Sequence, residues 1–241
     1  MIRLFHVSDV HFGAEDPAAI AWFDGLVREE VPDAIIMTGD LTMRARSHEF
    51  AAATKWLEGL QRPVTVEVGN HDLPLFNIFA RLFRPYKRYL SLERMIEKEL
   101  DIRGVTIVPM KTTARFQLRN WSKGSVSHGA LRKAVAGVEA ASKHGLIIIA
   151  CHHPLIEAGT SASGKTRHGA PALAELAAAG ADVVLSGHVH DPFDIVHQAG
   201  GRSVRLVGAG TLSVRVRDTR PSFNELRIEG RDLEVRQRVM A

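Results

Sequence analysis

Apolar positions along the chain follow two rhythms. The continuous run at 34–37 has the make-up of a strand buried on both faces of a parallel sheet, 183–185 reads as another buried strand, and 2–7 and 146–150 are strand-like. Between them the spacing turns helical. Pro17–Glu30 predicts a helix: Pro17 suits its first turn, Ile20, Phe23, Leu26 and Val27 share one face, and Pro32-Asp33 ends it. A second helix, capped by Ser47, carries Phe50, Ala53, Trp56, Leu57 and Leu60, and Pro63 leads into a third strand with Val64, Val66 and Val68. Residues 73–100 are helical in composition with a break near Pro85. A pair of strands is expected at 105–108 and 113–118, and a helix capped by Ser127 at 128–143. An alanine-rich helix at 172–179 follows a Gly/Ser-rich loop at 159–169. Beyond His190 helical spacing nearly vanishes. Segments 193–197, 203–208, 223–228 and 233–238 are short, β-branched and separated by glycines or charges. The C-terminal strands are expected to form a second sheet facing the first. The predicted fold is α/β: a four-layer α/β/β/α sandwich of two mixed sheets flanked by helices, with 1–241 as a single domain.

Five predicted strand ends carry residues of one chemical kind: Asp9-Val10-His11, Gly39-Asp40, Gly69-Asn70-His71-Asp72, Cys151-His152-His153-Pro154 and Gly187-His188-Val189-His190. Ligands of open α/β sheets sit beyond the carboxyl ends of strands, and Asp, His and Asn hold borderline divalent metals. Asp40, with two carboxylate oxygens, can bridge two ions. Asp9, His11, Asn70, His152, His188 and His190 can each fill one position. Mixed oxygen and nitrogen ligation without thiolate favours Mn, Fe or Zn. A paired-metal site polarises a phosphoryl oxygen and lowers the pKa of its bridging water. Asp9/His11 and His188/His190 are i, i+2 pairs, which extended backbone holds on one side roughly 7 Å apart. Gly39, Gly69 and Gly187 stand immediately before ligand positions, where glycine lets the backbone turn sharply.

Composition narrows the setting. The 241 residues have a hydrophobic fraction of 45% and a charged fraction of 24%, as an ordinary globular protein does. No run of about 18 apolar residues suggests a membrane span. A single cysteine, Cys151, excludes an internal disulfide framework, and a strand is expected at the very N-terminus, so the cytoplasm is the expected compartment. The formal charge of +4 suits an anionic small substrate. Its basic residues are dispersed apart from 81–88 and 215–220, so no specific nucleic-acid partner is expected. Nothing in the residues demands an oligomer. Segment 75–89 mixes Leu75, Phe76, Ile78, Phe79, Leu82 and Phe83 with Arg81, Arg84, Lys87 and Arg88. The expectation is an apolar face on the core with solvated arginines, ahead of a lid or a membrane contact. Lys165, Arg167 and His168, and Arg119, Asn120 and Trp121, are candidate rim residues. His6 is expected to be packed in the core, and Cys151 to be a small buried residue with no nucleophilic role.

The ordered set Asp-x-His, Gly-Asp, Gly-Asn-His-Asp, His-His-Pro, Gly-His-x-His, spanning residues 9–190, resembles the calcineurin-like metallophosphoesterases. Within that family it is most similar to class III cyclic-nucleotide phosphodiesterases and related glycerophosphodiester hydrolases. The resemblance implies two divalent metal ions. Asp9, His11, Asp40 and His190 would hold one, and Asp40, Asn70, His152 and His188 the other. His152 is chosen over His153 because the family's ligand lies two residues before the proline. His71 would be the non-ligand histidine that protonates or stabilises the leaving oxygen, with Asp72 supporting the site. The implied reaction is phosphodiester hydrolysis by attack of a metal-bound hydroxide. The segment after Asp40 departs from class III enzymes: it lacks a glycine often found there and carries Arg44, Arg46 and His48. Two alternatives stand behind the main one. One is a nucleotide-lipid pyrophosphatase of the UDP-diacylglucosamine type, which usually has arginine where this chain has His71. The other is a catalytically silent binding scaffold.

Overall fold

The computed structural model describes residues 1–75, 77–97, 100, 102–114, 120–141 and 144–241. One sheet runs in the order β10-β9-β1-β2-β3. At its centre β1 (Ile2–Val7) pairs in parallel with β2 (Ala34–Met37), which pairs in parallel with β3 (Val64–Val66). On the other side of β1, β9 (Ser222–Glu229) and then β10 (Asp232–Val239) run antiparallel. The second sheet has the order β4-β5-β6-β8-β7. Here β4 (Val105–Pro109), β5 (Leu146–Ala150), β6 (Val183–Ser186) and β8 (Arg202–Gly208) are parallel, and β7 (Phe193–Ala199) is an antiparallel edge.

Three apolar clusters make the layers. Leu4, Ile36, Leu226 and Ile228 of the first sheet meet Ile148, Leu185 and Val207 of the second, so the sheets pack face to face. The outer face of the first sheet (Phe5, Ile35, Val66, Phe223) is covered by α1 (Pro17–Glu30), α2 (Ser47–Gly59) and α4 (Lys87–Ile96), through Phe23, Trp56, Leu57, Tyr89 and Leu92. The outer face of the second is covered by α5 (His128–Ala140) and α6 (Gly169–Ala179), through Val138, Leu173 and Leu176. Neighbouring residues Leu4 and Phe5 thus serve opposite faces, as the two-residue period of a strand requires. Truncating Ile36, fully buried between the sheets, to alanine costs about 2–5 kcal/mol.

Local chemistry explains the boundaries. Asp16 caps α1 by accepting from the backbone N–H of Ala18 and Ala19, with Pro17 in the first turn. Ser127 caps α5 through Ala130 N–H. Ser47 is not a cap: it is the first residue of α2, and the buried Glu49 carboxylate takes the N–H groups of Arg44 and Arg46 instead.

The structure corrects three further expectations. The C-terminal strands do not form a sheet of their own: β7 and β8 extend the second sheet, β9 and β10 the first. Thr113 and Ala114 are not in a strand, and the remainder of the segment expected at 113–118 lies outside the described residues, as do Phe76, Arg119 and the end of the helix expected at 128–143. In α3 (Ile78–Phe83) the polarity is inverted. Arg81 is buried against the carbonyls of Pro74, Ala114 and Trp121, while Ile78, Phe79, Leu82 and Phe83 are exposed. Only α4 turns its apolar face, Tyr89, Leu92 and Ile96, to the core.

Candidate metal centre

The five motif loops leave adjacent parallel strands of both sheets and are stitched to one another. Asp9 N–H donates to Gly39 O and His11 N–H to Asp40 O, both at 3.0 Å. His188 N–H donates to Asp9 Oδ2 at 2.8 Å, and Gly187 N–H to His152 O at 2.9 Å. Asp9, His11, Asp40, His188 and His190 all have left-handed backbones, with φ between 51° and 71°. Such a conformation costs a non-glycine residue of order 1–3 kcal/mol and persists only where the surroundings enforce it. Two of the motif glycines serve close approach rather than a special turn. A Cβ on Gly69 would collide with Asp40 Oδ1, and one on Gly187 with Ser8 Oγ and Asp9 Oδ2.

The side chains converge. Asp9 Oδ1 lies 3.1 Å from His190 Nε2 and 3.6 Å from His11 Nε2. Asp40 Oδ2 lies 3.7 Å from His11 Nε2 and 3.4 Å from His152 Nε2. One oxygen of Asp40 therefore faces a histidine of each half of the cluster, the geometry a bridging ligand needs. Asn70 Oδ1 is 3.2 Å from His152 Nε2. The His188 ring stands edge-on to that of His152, with centroids 5.2 Å apart. All seven residues named from the sequence as ligands are thus brought together.

The donor set fits divalent cations. Nδ1–H of His190 donates to Arg215 O at 2.7 Å and Nδ1–H of His152 to Thr38 O at 2.8 Å, so both Nε2 atoms turn inward. Asp9 Oδ1 is buried with no hydrogen-bond partner. Burial alone would raise the Asp9 and Asp40 carboxyls. The imidazoles of His190, His11 and His152 hold Asp9 well below the usual carboxylate range, and those of His152, His71 and His11 do the same for Asp40. Burial works against a charged His152, yet the Asp40 carboxylate pushes its pKa up to about 9. Burial and the neighbouring His152 push His188 down to about 3. Divalent cations held by these carboxylates and inward lone pairs would take the place of the residual protons.

His71 sits at the edge of this cluster. Its N–H donates to Asp40 Oδ1 at 2.8 Å, and its Nδ1–H to Met43 O at 2.7 Å, which directs Nε2 to the centre. Asp72 does not reach the cluster. Its buried carboxylate accepts from Leu41 N–H, Thr42 N–H, Thr42 Oγ1–H and Gly69 N–H, clamping the Asp40 loop to the Asn70 loop. Burial and the nearby Asp40 charge raise its pKa. His153 has both ring nitrogens engaged, Nδ1 by Thr112 Oγ1 and Nε2 by Ser122 O, each at 2.9 Å. It is packed beside the centre, with its ring atoms also close to those of His152 and His188. His6 is buried against Thr38 Oγ1, with its pKa pushed down to about 3 by desolvation. Cys151 is fully buried and its thiol is pushed up by the same cause.

Rim candidates fare unevenly. Lys165, Arg167 and His168 are exposed, and the backbone of Arg167 pairs with Gly124 and Val126. Asn120 Oδ1 closes a local turn on Ser122, and Trp121 stacks under the buried Arg81 guanidinium at 4.5 Å. Arg44, Arg46 and His48 are exposed along a depression next to Arg88. Arg215, by sequence only one member of the basic cluster at 215–220, places its Nη1 3.2 Å from His71 Nε2 and 3.4 Å from His11 Nε2. A signal existed. The apolar run ending at Val207 and followed by Gly-Ala-Gly is a sixth strand end, and β8 lies parallel to β6, whose end carries His188 and His190.

Known structures share this fold. A dimetal phosphatase from Danio rerio superposes with a TM-score of 0.72 at 12% identity, covering 99% of this chain and 96% of the other. The phosphopantetheinyl hydrolase PptH from Mycobacterium tuberculosis gives 0.53 at 19% identity, covering 87% and 89%. The purple acid phosphatase PPD1 of yellow lupin gives 0.65 at 12% identity, covering 99% of this chain and 51% of the other. At such identities the likeness shows the fold alone. The search of curated proteins returned no match. The sequence model of the calcineurin-like phosphoesterases matches residues 2–192, most of the chain, so this protein belongs to the calcineurin-like phosphoesterase family.

Proposed function

We propose that the protein is a dinuclear metal-dependent phosphoesterase acting on a phosphodiester. One observation carries the reading: Asp40 Oδ2 lies between His11 and His152 while Asp40 Oδ1 holds His71 by its backbone N–H. Asp9, His11, Asp40 and His190 would hold one ion, and Asp40, Asn70, His152 and His188 the other. When bound, two ions of the Mn, Fe or Zn class polarise the phosphoryl group and supply a nucleophilic oxygen. The chain's own contribution is alignment and proton transfer. The clamp of Asp72 fixes the two loops that bear Asp40 and Asn70. His71, its Nδ1–H held on Met43 O, would deliver a proton from Nε2 to the departing alkoxide. The diester reading draws on the likeness of the motif set to class III phosphodiesterases. Chelation is expected to abolish hydrolysis of bis(p-nitrophenyl) phosphate, and Mn to restore it. An apoprotein as active as the metal-loaded form would reject the reading.

A second reading, cleavage of a pyrophosphate bond in a substrate with an apolar tail, has one observation in its favour. A cavity of about 510 Å³ is lined by Phe50, Phe79, Phe83 and Pro85 and reaches Asp72, with Arg84, Lys87 and Arg88 beside it. Comparing bis(p-nitrophenyl) phosphate, cyclic AMP, glycerophosphodiesters and UDP-sugar lipids as substrates separates the two.

A further inference from the structure

The loop between β8 and β9 is tied to the centre at two points. Thr211 Oγ1–H donates to the backbone carbonyl of Asp9 at 2.6 Å, and the carbonyl of Arg215 accepts His190 Nδ1–H at 2.7 Å. Ser213 joins them: its hydroxyl is 2.7 Å from that of Thr211 and accepts Arg215 N–H at 3.3 Å. The backbone at 215 is thereby registered against two candidate ligands, Asp9 and His190. From this anchor the side chain reaches over the cluster to the Nε2 atoms of His71 and His11, and to Met43 Sδ at 3.8 Å.

Two features of this placement call for an anion. Arg3, Arg205, Arg227 and Arg238 each pair with a carboxylate, but among the described residues no ion pair is found for Arg215. A guanidinium pointed at a centre built to take two cations is repelled once they arrive. Its present acceptors are also the atoms the chemistry claims, His11 Nε2 for metal and His71 Nε2 for the transferable proton. A metal on His11 Nε2 would take that acceptor from the guanidinium, whose N–H donors would then face the space beside His71.

We propose that Arg215 is a phosphate-binding residue, which takes the non-bridging oxygens of the substrate phosphoryl group on the His71 side of the centre. A planar fork matches two such oxygens, and lysine would supply the charge without the fork. The inference rests on the phosphoesterase reading, and its test separates the two.

The Mn-loaded wild-type protein and its Arg215→Ala, Arg215→Gln and Arg215→Lys variants are titrated calorimetrically with inorganic phosphate. Metal content is measured on each, together with kcat and KM for bis(p-nitrophenyl) phosphate. The carbonyl that orients His190 survives in every variant, so metal content is expected to hold. Phosphate affinity is expected to fall about 10- to 100-fold in the Ala and Gln variants, with a partial return in the Lys variant. Wild-type phosphate affinity in a fully loaded Arg215→Ala protein would overturn the proposal. So would metal loss in all three variants, which would make the side chain part of the scaffold. If the loaded wild type binds phosphate through Arg215 but hydrolyses no phosphoester, the activity reading falls and the anion site stands.

Discussion

Replacing Asp72 in two ways isolates the worth of its clamp. Both Asp72→Asn and Asp72→Ala remove the buried negative charge beside Asp40, so relief of that repulsion is common to the pair and cancels in their difference. They differ in acceptors. Asparagine retains one oxygen, and its better orientation leaves that oxygen on the N–H groups of Leu41 and Gly69, now held at 3.3 and 2.9 Å. Its amide then faces Thr42 Oγ1, which can accept, so a single backbone donor, Thr42 N–H, is orphaned. Alanine orphans all three backbone donors. A buried donor left unsatisfied costs about 1–3 kcal/mol, so two additional orphans make Ala less stable than Asn by about 2–6 kcal/mol. Urea unfolding of the metal-free proteins measures this difference, and metal content at saturation reports whether the Asp40 and Asn70 loops stay in register. Equal stability of the two variants would show that solvent or rearrangement satisfies these donors, and the clamp argument would fail.

Three other outcomes follow from the same geometry. Replacing His71 by Ala should lower kcat about 10²- to 10⁴-fold with both metals retained; metal loss would make His71 a ligand, since its ring also lies close to His11 and Asp40. Gly187→Ala should deplete metal even though the fold persists, because the added methyl collides with Asp9 and Ser8; a fully loaded variant by elemental analysis would contradict this. Glu225 is barely exposed and accepts from Arg3, Arg227 and Arg238; burial alone would raise its pKa, but the three guanidiniums hold it at about 2. A depressed carboxylate stabilises the fold above its unfolded value of 4.5 and stops doing so as pH falls towards 2. The expected loss over that window is at most about 3 kcal/mol, reduced by screening of the partly exposed arginines, and is absent in Glu225→Gln by thermal melts against pH.

What could be read in the sequence, and what could not, divides along physical lines. Parallel strands buried on both faces are continuous apolar runs, so β2, β5 and β6 announced themselves, and the polar residues just past their ends marked where a site would lie. Helix α1 was legible because Pro17 and its apolar stripe are local signals. Sheet membership was not. The spacing of a strand such as β8, β9 or β10 does not say which neighbour it hydrogen-bonds, and the split of the last four strands between two sheets is decided by long-range packing. The inverted polarity of α3 was hidden for a similar reason: Arg81 is buried because backbone carbonyls before α3 and in the β4–α5 connection await it. Arg215 sits seven residues past the end of β8, on a loop whose course is set by Thr211 gripping the Asp9 carbonyl and by Ser213 joining Thr211 to the Arg215 backbone.

The position of β1 has a consequence for how the protein comes into being. Its second edge is filled by β9, where Leu4 pairs with Leu226, and Arg3 and Glu225 join across 222 residues of sequence. While the polypeptide is being synthesised, the strand that leads into Asp9 thus waits with one hydrogen-bonding edge bare until β9, more than 200 residues later, exists. A bare apolar edge is a template for other chains, and closing so long a loop is slow. Yield on refolding should therefore fall as protein concentration rises, and a chain cut short before β9 should aggregate instead of accumulating as a smaller folded unit.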